Sequence, residues 1–192
     1  SPLLQALIAS DDNSVSSTAM AVLAAQARFM QQLSRMELSL KELPGDLFHA
    51  VVLTWRTHAG EGLDEITARA EMTLRAQYDE SASRLGLLSR LVSGMGSGAM
   101  AALSIAHAGT SIFLTSLALG SHQERDLVVL STNDRQLGRL ALSLRAAGLK
   151  PKEVEEQFVH IHPNIALPEG FEMLRRDRAV ELLAASAGLA GN

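Results

Sequence analysis

The chain contains no cysteine. That absence excludes a disulfide framework and thiolate-zinc sites, and it suits a reducing compartment. Aromatic residues are only 4% of the chain, with a single Trp and a single Tyr. Strands draw on aromatic and β-branched residues, whereas Ala and Leu, which dominate here, favour helices. No apolar run is long enough to span a bilayer; the longest candidate, Met100 to Leu119, is broken by His107 and Gly109. The first residues lack the basic start and long apolar centre of a signal peptide. The chain opens on Ser1-Pro2 rather than Met, as expected of a fragment or of a chain carrying a residue left over from cloning. Basic charge is not in excess either. Lys plus Arg is 17 against 21 for Asp plus Glu, a net charge of −4, so the default expectation is no binding to nucleic acid.

What is present fits an ordinary globular protein. The chain has 192 residues, 47% hydrophobic and 20% charged, a length for one domain or one domain with a small appendage. A chain of this size buries roughly 70% of its unfolded surface, so neither metal nor disulfide is needed for stability.

Helical periodicity runs through the chain. Pro2 to Ala9 reads as a short helix with Pro in its first turn. A longer one follows from Ser14 to Glu37, with Val15, Ala19, Val22, Leu23, Met30 and Leu33 as its inward stripe. After Pro44-Gly45, residues Leu47, Val51, Thr54 and Trp55 form the apolar face of a helix ending near Gly60. Leu63 to Val92 carries the strongest signal, with Ile66, Leu74, Tyr78, Leu85 and Leu88 near one stripe. Glu65/Arg69, Glu71/Arg75 and Glu80/Arg84 are i,i+4 pairs with the acid first, each contributing about 0.2–0.5 kcal/mol. Tyr78-Asp79-Glu80-Ser81 is where this helix bends or splits. The second half reads as short helices between tight turns: 98–108, 110–120, 124–130, 134–147, 151–161 and 171–187. Gly109, Gly120 and Gly148 serve as left-handed stops.

The fold expected is therefore all-α, without a significant sheet. Residues 1–95 form a helical bundle part and 96–192 a run of short helical hairpins with a HEAT-like flavour, continuous with the first part. The expected core is Leu74, Tyr78, Leu85, Leu88, Phe113, Leu117, Leu140 and Leu144.

Three stretches taken together resemble a bacterial family of all-helical domains of unknown function, some members of which carry preceding HEAT-like repeats. They are Ala19 to Trp55, Tyr78 to Val92, and Gly109 to Ser121 with Leu144 to Leu149. The resemblance implies an all-helical fold in the bacterial cytoplasm and carries over no site residue.

Few residues suggest chemistry. His49 follows Asp46 by one helical turn, and a histidine on an exposed helix with a carboxylate to orient it could accept phosphate. His160 and His162 could offer two imidazoles to a metal, with Glu155 and Glu156 near in sequence; zinc requires three or four ligands, and His107 and His122 are remote. A histidine at a helix C-terminus is explained equally by the helix dipole. Gly94-x-Gly96-x-Gly98 lacks the preceding strand and the Lys of a phosphate loop and reads as a helix connection. Leu127 to Ala147 imitates a helix-turn-helix with Arg135, Arg139 and Arg145, but Asp126 and Asp134 would face phosphate. The Arg175, Arg176 and Arg178 cluster is interleaved with Glu172, Asp177 and Glu181, as on a solvated face. No catalytic triad assembles by spacing.

These readings lead to a non-enzymatic interaction or scaffold domain with no catalytic, cofactor-binding or metal-ligating residue. Its expected partner is another protein, with a homodimer through the small residues Ala21, Ala24 and Ala25 as one form. No nucleic acid or membrane is expected as a partner. The alternative is a histidine-phosphotransfer-type signalling module using His49.

Overall fold

A computed structural model of the chain describes residues 1–59 and 64–189. Helix accounts for 79% of the described residues, and none of them lies in a strand, so the all-α expectation holds. No helix among them is long and apolar enough to cross a membrane. In chain order the α-helices are α1 Pro2–Ile8, α2 Asn13–Ser34, α3 Gly45–His58, α4 Asp64–Gln77, α5 Arg84–Gly94, α6 Ile105–Ala108, α7 Thr110–Ser121, α8 Arg125–Ser131, α9 Leu137–Ala146, α10 Pro151–Ile161 and α11 Arg176–Leu189. Single turns of 3-10 helix occur at Leu40–Glu42, Glu80–Ala82, Asp134–Gln136 and Phe171–Met173, with a longer 3-10 stretch at Gly96–Leu103.

The chain divides into two compact units. One is Ser17–Leu91; the other joins Ser1–Ser16 to Val92–Asn192. The expected boundary puts residues 1–16 with the first part. They cluster with the second because α1 buries Leu3 and Leu4 and packs against α6.

In the Ser17–Leu91 unit, buried side chains come from α2 (Ala19, Val22, Ala25), α3 (Phe48, Val52) and α5 (Leu87, Leu88, Leu91). Two expected faces are corrected here. On α3 the expected stripe of Leu47, Val51 and Trp55 is exposed, and the buried positions are Phe48 and Val52. One residue is a rotation of about 100° on a helix, and α3 is apolar across both arcs. On α2, Leu23, Met30 and Leu33 are exposed while the small Ala19 and Ala25 are inside. Ile66 on α4 is also exposed rather than inward. Leu74, Tyr78 and Leu85 are half-buried, while Leu88 is fully buried.

The helix expected from Leu63, a residue outside those described, splits where Tyr78 to Ser81 suggested. α4 ends at Gln77, and Asp79 caps a 3-10 turn by accepting from the Ser81 N–H at 3.0 Å. The split removes the Glu80/Arg84 pair. The Arg84 guanidinium lies over the Phe29 ring at 4.2 Å instead, and Glu42 accepts its backbone N–H at 3.0 Å. Glu65/Arg69 and Glu71/Arg75 do form, at 3.7 and 2.9 Å, and Glu71 also pairs with Arg56 of α3 at 3.2 Å.

Phe48 and Tyr78 stack with centroids 4.0 Å apart, and the Tyr78 hydroxyl donates to the Leu43 carbonyl at 2.7 Å. Desolvation raises the Tyr78 phenol above its ordinary 10.0, and the negative charges of Glu80, Asp46 and Asp79 add to the rise. A raised native value favours the neutral phenol. The resulting stability is complete below the unfolded value and is lost as pH climbs through the native one. Tyr78 is the single tyrosine, so ultraviolet difference titration of the native protein is expected to give one phenolate midpoint above 10.0. A midpoint at or below that of the urea-unfolded chain would refute the burial.

Gly86 permits the 3-10 turn to lie against α5. A Cβ there would run into the Glu80 carbonyl and stand 2.8 Å from the Ser81 Cα. Gly→Ala inside a helix ordinarily stabilises by about 1 kcal/mol. Here backbone overlap reverses the sign, and Gly86→Ala is expected to cost about 1–3 kcal/mol. Thermal melts in which the variant is more stable than wild type would contradict this packing.

The other unit is built around α7, which is buried on nearly every side through Ile112, Phe113, Leu114, Leu117 and Ala118. Such all-round burial matches its all-round apolar sequence. α9 packs against α7, α8, α10 and α11, with Leu140 and Leu144 fully buried. Gly109 and Gly148 take positive φ values of 75° and 108°, as expected of helix stops. Gly120 does not: it lies within α7, and the left-handed residue is His122, at φ 55°. The glycine serves close approach instead, since a Cβ on Gly120 would stand 3.1 Å from the Ala147 Cβ. The two outer helices of the expected 134–147 and 171–187 spans each start with a 3-10 turn, so their α portions begin later. Gln157 of α10 reaches across to accept the Ile105 N–H at 2.9 Å, supplying the α6 N-terminus with a partner that its own N-cap, Ser104, does not provide.

Candidate functional site

The most distinctive surface lies on α2. Met20, Leu23, Ala27 and Met30 are all exposed, and they recur at alternating spacings of three and four. That is the spacing of a coiled-coil seam. Met20 is 53% exposed, Leu23 50% and Met30 61%, with Leu33 exposed beside them. The inward stripe, Ala19, Val22 and Ala25, is displaced by about 100° per residue of offset. α2 thus carries two apolar faces, only one of which is buried. α3 adds exposed Leu47, Val51, Leu53 and Trp55 to the same unit. The surface expected from alanines is in part internal, since Ala25 is buried and Ala21 half-buried. The long side chains occupy the outside. The sequence signal that marks this seam is the 20-23-27-30 spacing, masked by the equally helical stripe that places Leu23 and Met30 on the expected inward face.

His49 is exposed on α3. Its Nδ1 is bonded not to Asp46 but to Arg75 of α4, at 3.1 Å. A guanidinium can only donate, so Nδ1 is the acceptor. In that tautomer the neutral ring carries its proton on Nε2.

The paired histidines lie apart in role. His162 is the C-cap of α10, and its ring lies against Phe158 with centroids 5.7 Å apart, whereas His160 is exposed. Among the described residues no group of three or more His, Cys, Asp or Glu side chains could hold a metal ion. The glycine-rich stretch 94–98 joins α5 to 3-10 helix with Gly96 at φ 53°.

The arginines are largely committed to the fold. Arg139 donates to Gln123 Oε1 and Ser186 Oγ, both at 3.1 Å. Arg145 donates to the Leu174 carbonyl at 2.8 Å and the Leu149 carbonyl at 3.1 Å, and Arg176 to the Ala146 carbonyl at 2.9 Å. The bonds to the Ala146 and Leu149 carbonyls satisfy acceptors at and just beyond the α9 C-terminus, where cations also meet the favourable end of the helix dipole. Arg175 pairs with Asp177 at 3.0 Å and Arg178 with Glu181 at 2.8 Å. α9, the second helix of the would-be helix-turn-helix, packs against α7, α8, α10 and α11.

Comparison with known proteins found no match for this chain among family models, curated proteins or solved structures.

Proposed function

We propose that this protein is a non-enzymatic helical interaction domain whose α2 seam docks against a helix of another protein chain, and that a second copy of the chain is that partner. The observation that carries the reading is the exposed Met20, Leu23, Ala27 and Met30 spacing on one helix face. Contiguous exposed apolar surface marks interaction sites in soluble proteins, and helix-in-groove recognition uses anchors at this spacing. The seam is self-complementary. In an antiparallel pair centred on Ala25, Leu23 of one copy faces Ala27 of the other and Met20 faces Met30, setting large against small at the middle. Two-fold pairing of identical surfaces is the commonest oligomeric arrangement. The commitment of Arg145 and Arg176 to backbone carbonyls, of Arg139 to the Gln123 and Ser186 side chains, and the resemblance to bacterial helical domains also support a binding role over a catalytic one.

The lack of native cysteine makes a clean test possible. Leu23→Cys and Ala27→Cys place thiols at positions that face each other across the antiparallel seam, and Met173→Cys places one at a residue 78% exposed in the other unit. Under mild oxidation at equal total concentration, an equimolar mixture of Leu23→Cys and Ala27→Cys chains is expected to cross-link to a covalent heterodimer at least about 10-fold faster than Met173→Cys chains cross-link to one another, because effective concentration at a paired site far exceeds bulk. Equal rates would count against the paired seam.

A further inference from the structure

A second feature belongs to the other unit. Between α9, α10 and the segment 165–174 is a cavity of about 310 Å³. Gly138, Ala141 and Leu142 of α9 form its floor, Phe158 of α10 a wall, and Leu167 and Phe171 part of its roof. Every residue lining it is apolar. We propose that this cavity is a binding site for a small uncharged apolar molecule.

The site is built by the sequence on both sides. Its floor is shallow because two small residues, Gly138 and Ala141, stand one helical turn apart. A Cβ placed on Gly138 meets nothing within 4 Å, so the space above it is open. The roof exists because Pro163 stops α10 and the chain then folds back through local turns: Ile165 N–H to the His162 carbonyl at 3.2 Å and Phe171 N–H to the Pro168 carbonyl at 3.2 Å. It is pinned at its far end by Arg145, which holds the Leu174 carbonyl at 2.8 Å.

Size and chemistry set the ligand class. Ligand pockets begin at about 300 Å³, and this one is about twice the ~150 Å³ apolar cavity that takes up benzene. Two fused rings or a medium-length alkyl chain is the scale. No lining side chain offers a donor or acceptor, so a charged group inside would be buried unpaired. Nor would a carboxylate gain by emerging beside the roof. The cleft that shares Leu167 and Phe171 holds Glu155, Glu169 and Glu172 against one cation, Lys152. Hydrocarbons, aryl amines and alcohols fit; a fatty-acid anion does not.

The test titrates the intact chain with the fluorescent probe N-phenyl-1-naphthylamine. Wild type is expected to bind one equivalent saturably. Gly138→Leu places a side chain in the open space at a helical position and is expected to retain the wild-type circular dichroism and melting temperature. Its binding should be at least 10-fold weaker. Phe171→Trp, a change in the roof, repeats the test should Gly138→Leu fail to fold. Decan-1-ol should displace the probe at least 10-fold more effectively than decanoate at the same concentration. Absence of saturable binding to wild type overturns the proposal. So does unchanged affinity in a folded cavity variant, which would place the probe on another apolar surface, and so does equal displacement by decanoate.

Discussion

Phe113→Ala is expected to cost about 3–5 kcal/mol of folding free energy. The side chain, in the first turn of α7, is 0% exposed, with Ile112, Leu117 and Ala118 of the same helix also buried. Truncation to Ala removes the ring's transfer free energy and leaves a cavity that close-packed neighbours relax into only partially. Against a total stability of about 5–15 kcal/mol, that loss lowers the urea midpoint by more than about 1 M at an m-value of 1–3 kcal/mol/M. Val129, 38% exposed on α8, provides the control: Val129→Ala is expected to change stability by less than about 0.5 kcal/mol if it behaves as other surface positions do. Far-UV circular dichroism in urea reads both variants. Comparable midpoints for the two would mean that α7 is not the centre of its unit.

The second large effect concerns association. Replacing Leu23 and Met30 together by Glu is expected to weaken self-association at least about 100-fold, since every 1.4 kcal/mol is tenfold and an unpaired carboxylate buried in an apolar seam costs more than that. Both positions are at least half exposed, so the folded monomer loses little. The separation of effects distinguishes the two faces of α2. Val22→Glu, at a residue 0% exposed, would instead bury an uncompensated charge and disrupt the fold, as truncation of a seam residue would not.

Elements punctuated by chemistry were legible in the sequence. α10 starts at Pro151 and ends at Ile161 because proline is accepted in a first turn and because Pro163 biases His162, the residue before it, away from helix. α7 was legible because nearly every residue of Thr110–Ser121 suits an interior. Facing was less legible wherever a helix is apolar over more than one arc. On α3, Leu47-Val51-Trp55 and Phe48-Val52 are equally good helical stripes, and only the Tyr78 ring stacked on Phe48 selects the second. Gly109 and Gly120 look alike in sequence, yet one takes a positive φ and the other admits Ala147, a choice made by a helix distant in the chain. The Glu80/Arg84 pair was lost for a local reason, because Asp79 competes successfully for the backbone through its own side chain. The candidate site was hidden by the same ambiguity: a leucine or methionine at helical spacing reads as core until burial is known. The cavity was hidden more deeply, since Gly138 announces only a weakness in a helix and not the space above it.

Pairing of two copies through the exposed α2 seam is read out by sedimentation equilibrium of wild type beside the Leu23→Glu/Met30→Glu double variant. Wild type is expected to show a reversible monomer–dimer equilibrium across micromolar concentrations, and the variant a monomer with unchanged circular dichroism. A strictly monomeric wild type, or a dimer that survives both glutamates, would contradict that pairing.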